Sequence, residues 1–232
     1  MVVAAQTSDR PVSLKRLVPN LLDDQKRIWT LPVRLIQGQG LLPAASVVGA
    51  TAGLIAADPS AARYFRGTDT FHGFNNVFSG NATAIGTIVA PVTLYAAGLI
   101  RHDSKMQQTA LLAGEAVADA EIVATIFKGA TRRVRPADIP VGGGFSDTWF
   151  ESKGSALRAN GSFPSGHTIA AFSVATVVAR RYGGGHRWVP YAAYGMAALV
   201  GCSRLTLSAH YLSDVFMGGA LGYTISRYTV LR

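Results

Sequence analysis

Apolar residues in this chain gather into six long stretches, at about 41–57, 83–100, 109–127, 168–180, 188–202 and 215–231, separated by polar loops rich in glycine and proline. Stretches of this length, with little two-residue alternation between them, predict helices rather than strands. The expected fold is therefore all-α, a helical bundle of about six core helices, membrane-embedded or membrane-associated. Alanine and glycine recur along the stretches, and small faces let helices approach closely, as they do in membrane bundles. The chain divides into an amphipathic N-terminal extension, 1–40, and a helical domain, 41–232.

The stretches differ in their fitness to span a bilayer. A spanning helix needs ~20 mostly apolar residues, and several of these are shorter. Stretch 109–127 also carries Glu115, Asp119 and Glu121, and such charges in lipid must face the protein interior or water. If the N-terminus is cytoplasmic and all six cross, loops 58–82, 128–167 and 203–214 fall together on the outer side. The inner loops then hold Arg101, Lys105, Arg181 and Arg187, as the positive-inside tendency asks. Against this topology, Val2-Val3-Ala4-Ala5-Gln6 resembles the tail of a secretory signal peptide. An outside N-terminus with six crossings would put the site in the cytoplasm, and the alternative is a periplasmic bundle at or near the membrane. Residues 12–36 mix Leu14, Leu17, Leu21, Ile28, Trp29, Leu31 and Leu35 with Lys15, Arg16, Lys26 and Arg27. Such an element either lies in a lipid interface or packs over the bundle.

Composition narrows the partners. Only 15% of the 232 residues are charged, against about 25% in ordinary soluble domains. The net charge of +9 suits an anionic substrate or an anionic membrane surface. No recognition helix or basic–aromatic repeat points to nucleic acid. The single cysteine, Cys202, excludes an internal disulfide and, lying in an apolar run, predicts a buried thiol. The five histidines include no pair with the helical spacing of a zinc site, so no metal or cofactor is implied. Gly142-Gly143-Gly144 lacks the Lys-Ser/Thr of a phosphate loop and reads as a flexible connection.

Three blocks carry the chemistry: Lys128-x6-Arg135-Pro136, Pro164-Ser165-Gly166-His167, and Ser203-Arg204-x5-His210-x3-Asp214. Together they supply cations, a hydroxyl, a glycine backbone and two histidines, which is what is needed to hold a phosphoryl group, attack it and protonate what leaves. His210 is the candidate nucleophile, since a neutral imidazole attacks phosphorus when its second nitrogen is held. Asp214, four residues on, would share a helix face with it and orient the ring. Ser165 and Gly166 precede an apolar run and would form a helix N-terminus that accepts an anion, with His167 in the first turn. Lys128, Arg135 and Arg204 would clamp the non-bridging oxygens, Arg by its planar fork. Arg132 and Arg133 stand outside the pattern, either solvated or attracting anionic substrate. The long loop 137–163, with Phe145, Asp147, Trp149, Phe150 and Lys153, would form the mouth of the site and select the leaving group.

These blocks resemble the tripartite signature of the type 2 phosphatidic acid phosphatase (PAP2) superfamily, which includes bacterial class A acid phosphatases and vanadium haloperoxidases. Every signature position is matched, and the likeness covers about residues 80–230. The resemblance implies metal-independent hydrolysis of a phosphorylated lipid or other phosphomonoester, by way of a phosphohistidine on His210. It also implies that His167 is the general acid, then the base. Phosphatidate, phosphatidylglycerophosphate and isoprenyl diphosphates are the candidate substrates, with the enzyme in the cell inner membrane and its site facing the periplasm. A soluble or peripheral periplasmic acid phosphatase keeps the same chemistry. A haloperoxidase fits so short and apolar a chain poorly. A silent anionic-lipid-binding membrane protein would need only the cations, not His167, His210 and Asp214.

Overall fold

Helix ends and helix faces organise this molecule. The computed structural model describes residues 10–31, 33, 37–38, 40–152 and 161–232, and contains no strand among them. The signal-peptide-like stretch at Val2–Gln6, together with Leu35 and Lys153, lies outside the described residues. The helices are α1 (Leu17–Trp29), α2 (Leu41–Arg66), α3 (His72–Val77), α4 (Gly80–Ile100), α5 (Ser104–Thr131), α6 (Gly166–Tyr182), α7 (Val189–Thr206) and α8 (Leu212–Ile225). A π-helical turn, Ser226–Val230, closes the chain. Each of the six apolar stretches lies on a helix, so the all-α expectation holds. The helix of the first stretch runs on through Asp58 and Pro59 to Arg66. Part of the expected outer loop 58–82 is thus helical.

Caps fix two of the starts. Ser79 Oγ accepts from Ala82 N–H at 3.2 Å ahead of α4, and Asp103 Oδ1 accepts from Lys105 and Met106 N–H at 2.8 and 3.1 Å ahead of α5. The core is a layer of small and branched residues where α5 and α6 meet the C-terminal segment: Leu112, Ala116, Ala120, Ile169, Val177 and Val230. Alanine on α5 brings the helices close, and glycine does the same between α6 and α8. A Cβ on Gly218 would stand 2.8 Å from the Ser165 carbonyl, and one on Gly222 2.5 Å from that of Ile169. Only glycine allows this approach.

The surface is inverted relative to a water-soluble protein. Helices α2 and α4 are long and apolar enough to cross a membrane, yet only 11% of the apolar stretch of each is buried. Ile85, Ile88, Val92 and Ile100 of α4 all point outward. In α1 the polar face points inward. Asn20 Nδ2 donates to Glu115 Oε1 at 2.8 Å, and Gln25 Nε2 to Asp119 Oδ1 at 2.8 Å, while Val18, Leu22 and Trp29 are exposed. Arg10 pairs with Asp24 and Glu115, and Arg232 reaches Asp23 and Asp24. The charges of stretch 109–127 thus face protein, as their cost in lipid demands. Cys202 corrects an expectation, for it is exposed. On a helix whose outer face is apolar, lying in an apolar run does not imply burial.

Candidate active site

The three sequence blocks meet at one end of the bundle. The C-terminal ends of α5 and α7 bring Lys128 and Arg204 there, and the N-terminal ends of α6 and α8 bring His167 and Asp214. Backbone bonds tie the connecting loops together: Ala137 N–H donates to Ser208 O at 2.8 Å, Ser162 N–H to Arg133 O at 2.8 Å, and Ser165 N–H to Asp214 O at 3.0 Å. The glycine contacts between α6 and α8 make the last of these possible.

His210 lies in the turn before α8 rather than on the helix, which corrects the expected i,i+4 helical pair with Asp214. Its ring is buried, and Nδ1 lies 2.8 Å from the Ser162 carbonyl. A carbonyl can only accept, so Nδ1 carries the proton and Nε2 keeps its lone pair. Asp214 Oδ2 is farther from Nδ1, at 3.5 Å. It acts on the ring mainly through charge, while the carbonyl makes the hydrogen bond. Burial pushes the His210 pKa down against the pull of Asp214, and the Arg135 and Lys128 charges push the same way. The imidazole is neutral and nucleophilic near pH 7.

Asp214 stands at the third position of α8 and reaches back to the Tyr211 N–H at 2.9 Å, a capping geometry. Its other oxygen accepts from Arg133 Nη1 at 2.7 Å. Although burial opposes ionisation, the His210 Nδ1–H that faces it, the Arg133 charge and the Tyr211 N–H hold Asp214 below the ordinary carboxylate range.

Arg133 is neither solvated nor on the substrate path. It is 1% exposed, with its guanidinium 4.3 Å from the Trp149 ring centre and 3.8 Å from that of Tyr211. Nη2 donates to Asp58 Oδ2 and Nη1 to Ser213 Oγ, at 2.7 and 2.8 Å. Asp58 in turn accepts from Ser213 N–H at 3.0 Å. One buried arginine thus joins α2 to the start of α8 and holds Asp214. Sequence reasoning missed Asp58. A lone aspartate before proline at the end of an apolar stretch was the available signal. Of the loop expected at the mouth, Phe145 is buried beside Tyr211 and Trp149 packs on Phe163 and Arg133, while Phe150 is exposed.

His167 occupies the first turn of α6, as its sequence position predicts. Its Nε2 lies 3.1 Å from the Gly80 carbonyl, so Nε2 bears the proton. Burial and the Arg204 charge lower its pKa to about 4, despite the bond to Gly80. Arg204 is buried, with Nε and Nη2 on Ser203 Oγ at 3.1 and 2.8 Å and Nη2 on the Phe78 carbonyl at 2.7 Å. Lys128 Nζ lies 2.9 Å from where a Gly166 Cβ would sit, and the Glu121 oxygens 3.2 and 3.3 Å from it. Glycine here lets the ammonium lie against the helix N-terminus. Burial lowers the Lys128 pKa against the opposing Glu121 charge, and Arg135 lowers it further. Ser165 is buried, its Oγ accepting from Thr168 Oγ1 at 2.9 Å and its own hydroxyl proton left to donate. Among the described residues no three His, Cys, Asp or Glu form a metal-holding cluster.

The arrangement gathers a neutral imidazole with a fixed tautomer, a second imidazole carrying a proton at Nε2, and several cations about a helix N-terminus. That is a site for an oxyanion. Residues 109–231, more than half of the chain, match the PAP2 superfamily, and the chain belongs to that family. Over 64 residues, 28% of this chain, it is 41% identical to a lipid A 1-phosphatase of Porphyromonas gingivalis, of which the match spans 14% of the length. Among solved structures it is similar to the transmembrane PAP2-type phosphatidylglycerolphosphate phosphatase of Bacillus subtilis. There the TM-score is 0.47 and the identity 22%, over 85% of this chain and 92% of that one.

Proposed function

We propose that this protein is a phosphohydrolase that removes phosphate from a lipid phosphate or isoprenyl diphosphate, by way of a phosphohistidine and without a metal. His210 Nε2 attacks phosphorus as the P–O bond to the lipid breaks. The substrate's negative charge offsets Arg204 and Lys128, so His167 takes up a second proton at Nδ1 while Nε2–H stays on the Gly80 carbonyl. The Nδ1 proton passes to the departing oxygen. Water, deprotonated by Nδ1 of the now neutral His167, then attacks phosphorus as the N–P bond breaks, releasing phosphate and returning His210 to its starting tautomer. Lys128, Arg135 and Arg204 take up the charge on the non-bridging oxygens, helped by the N–H groups at the start of α6 and by Ser165 and Gly166. The observation that carries this reading is the hydrogen bond from His210 Nδ1 to the Ser162 carbonyl, which leaves Nε2 as that ring's nucleophilic nitrogen.

The lipid part rests on the outward apolar faces of α1, α2 and α4. The relative bearing the name lipid A 1-phosphatase belongs to the same substrate class. Our reading sets the protein in the cell inner membrane with the site facing the periplasm, an orientation supported by Arg101, Lys105, Arg181 and Arg187 at the other helix ends. Phosphate release from phosphatidate micelles in EDTA, measured for wild type and His210→Ala together, tests the mechanism. Release that survives EDTA and is lost in the variant is expected. Dependence on added metal, or turnover by the variant, would refute it. A protein that leaves the membrane without detergent would be a soluble or peripheral acid phosphatase instead.

A further inference from the structure

Two apolar grooves flank α4. One, of about 420 Å³, lies between α1, α4 and α5 and is lined by Leu17, Leu21, Pro91, Tyr95 and Gly114. It sits beside the middle of α5, away from the phosphate-handling end. The other, of about 390 Å³, lies between α4, α6 and α7, where Phe78, Gly86, Ala90, Ala171, Ala175 and Val200 line it. This second groove adjoins the site through α4 and the residue before it. Phe78, at its upper end, offers its carbonyl to Arg204, and Gly80, in the next turn, offers its own to His167. Its hydroxyl-bearing wall residues, Thr83 and Thr87, turn their Oγ1 atoms back onto helix carbonyls, so the wall presents carbon. The side is open, since Val77 and Met196 are exposed on it.

We propose that the α4–α6–α7 groove binds one hydrocarbon chain of the lipid substrate and so sets its headgroup against Arg204 and His167. This rests on the lipid-phosphatase reading above and deepens it. An anionic head with an attached apolar tail matches a cationic site with an apolar trench beside it. From Thr83 to Ala90 the groove runs about 10 Å at 1.5 Å per residue, roughly eight extended methylenes. Chain carbons beyond that length extend past the groove and add nothing to recognition.

Gly86 and Gly114 offer a matched pair of probes. A Cβ at either meets nothing within 4 Å, so Gly86→Leu fills the proposed groove and Gly114→Leu the other, each without backbone collision. The readout is the kcat/KM for phosphatidate in mixed detergent micelles divided by that for p-nitrophenyl phosphate. Gly86→Leu should lower this ratio at least tenfold, and Gly114→Leu should leave it at the wild-type value. An unchanged ratio in folded Gly86→Leu, or an equal fall in Gly114→Leu, would overturn the proposal. So would a fall on both substrates that accompanies loss of a dimer, which would make a second copy the occupant.

A wild-type measurement stands independently of how the variants fold. Across n-alkyl phosphates from butyl to hexadecyl, kcat/KM should rise, by up to about fourfold per methylene, and level off near octyl. A rise that continues to hexadecyl, or none at all, would sink the groove while phosphatidate turnover kept the enzyme reading intact. Hydrolysis of p-nitrophenyl phosphate with none of phosphatidate would instead remove the lipid reading itself.

Discussion

Arg133 donates to Asp214 at 2.7 Å and thereby joins the start of α8, at the candidate site, to a carboxylate on α2, Asp58, which it holds at the same distance. Neither end of that bridge touches the site's open face. Its effect is to fix where Asp214 stands and, through Asp214, the charge felt by His210. Removing Asp58 as Asp58→Ala leaves a buried cation with one partner fewer, a loss of about 3–5 kcal/mol. The Tm should fall by many degrees, and the His210 ring should titrate differently from wild type by ¹⁵N NMR. Arg133→Lys, which keeps the charge but cannot fork between two carboxylates, should give an intermediate loss. A wild-type Tm in Asp58→Ala would show the bridge to be idle.

Gly166→Ala is expected to damage activity more than stability. Its new methyl would meet the mobile tip of Lys128 at 2.9 Å, and the ammonium can swing away without disturbing the core. The displaced charge no longer meets the phosphate, and a misplacement of about 1 Å costs on the order of 10²-fold in rate. A circular-dichroism melt close to wild type, with kcat reduced on every phosphate ester, is the predicted pair of results.

Acid should weaken the empty protein through His167. Its folded pKa of about 4 lies below the unfolded value near 6.5, so the unfolded chain takes up the proton first. The stability held by the neutral ring is complete above pH 6.5 and is lost as pH falls through 4. His167→Gln should flatten that slope in Tm against pH. Binding of inorganic phosphate or vanadate should raise the pKa by offsetting Arg204 and Lys128. Calorimetry between pH 5 and 6 in buffers of different ionisation enthalpy would then register proton uptake in wild type and much less in His167→Gln.

Gly222→Leu tests the close approach of α8 to α6. A side chain there meets the Ile169 carbonyl at 2.5 Å, a backbone atom that cannot turn aside. Overpacking of this kind costs about 1–3 kcal/mol. Because the contact holds Ser165 beside Asp214, the variant should also lose activity when assayed well below its Tm.

The side chains of the site were legible because each of the three blocks packs its chemistry into a few residues, and the helix ends that carry them are marked by where apolar runs stop. What stayed hidden has a physical pattern. Asp58 and Arg133 lie 75 residues apart, and a pair so distant leaves no local trace. The partners of His210 and His167 are the carbonyls of Ser162 and Gly80, which every residue possesses and no motif can flag. The four-residue spacing of His210 and Asp214 suggested one helix face, but α8 begins between them. Cys202 was misplaced because hydrophobicity predicts burial only when the surroundings are water.

Helix α1 carries that same inversion into the assembly of the chain. Its first-made polar face finds its partners, Glu115 and Asp119, only after α5 has been synthesised, and Arg232 later still. Until then the helix has water-loving groups to hide and a greasy back with no protein to lean on. The helix therefore cannot complete its inward polar face until α5 is in place. The bond from Arg232 to Asp24 adds a partner 208 residues away to the same buried polar face.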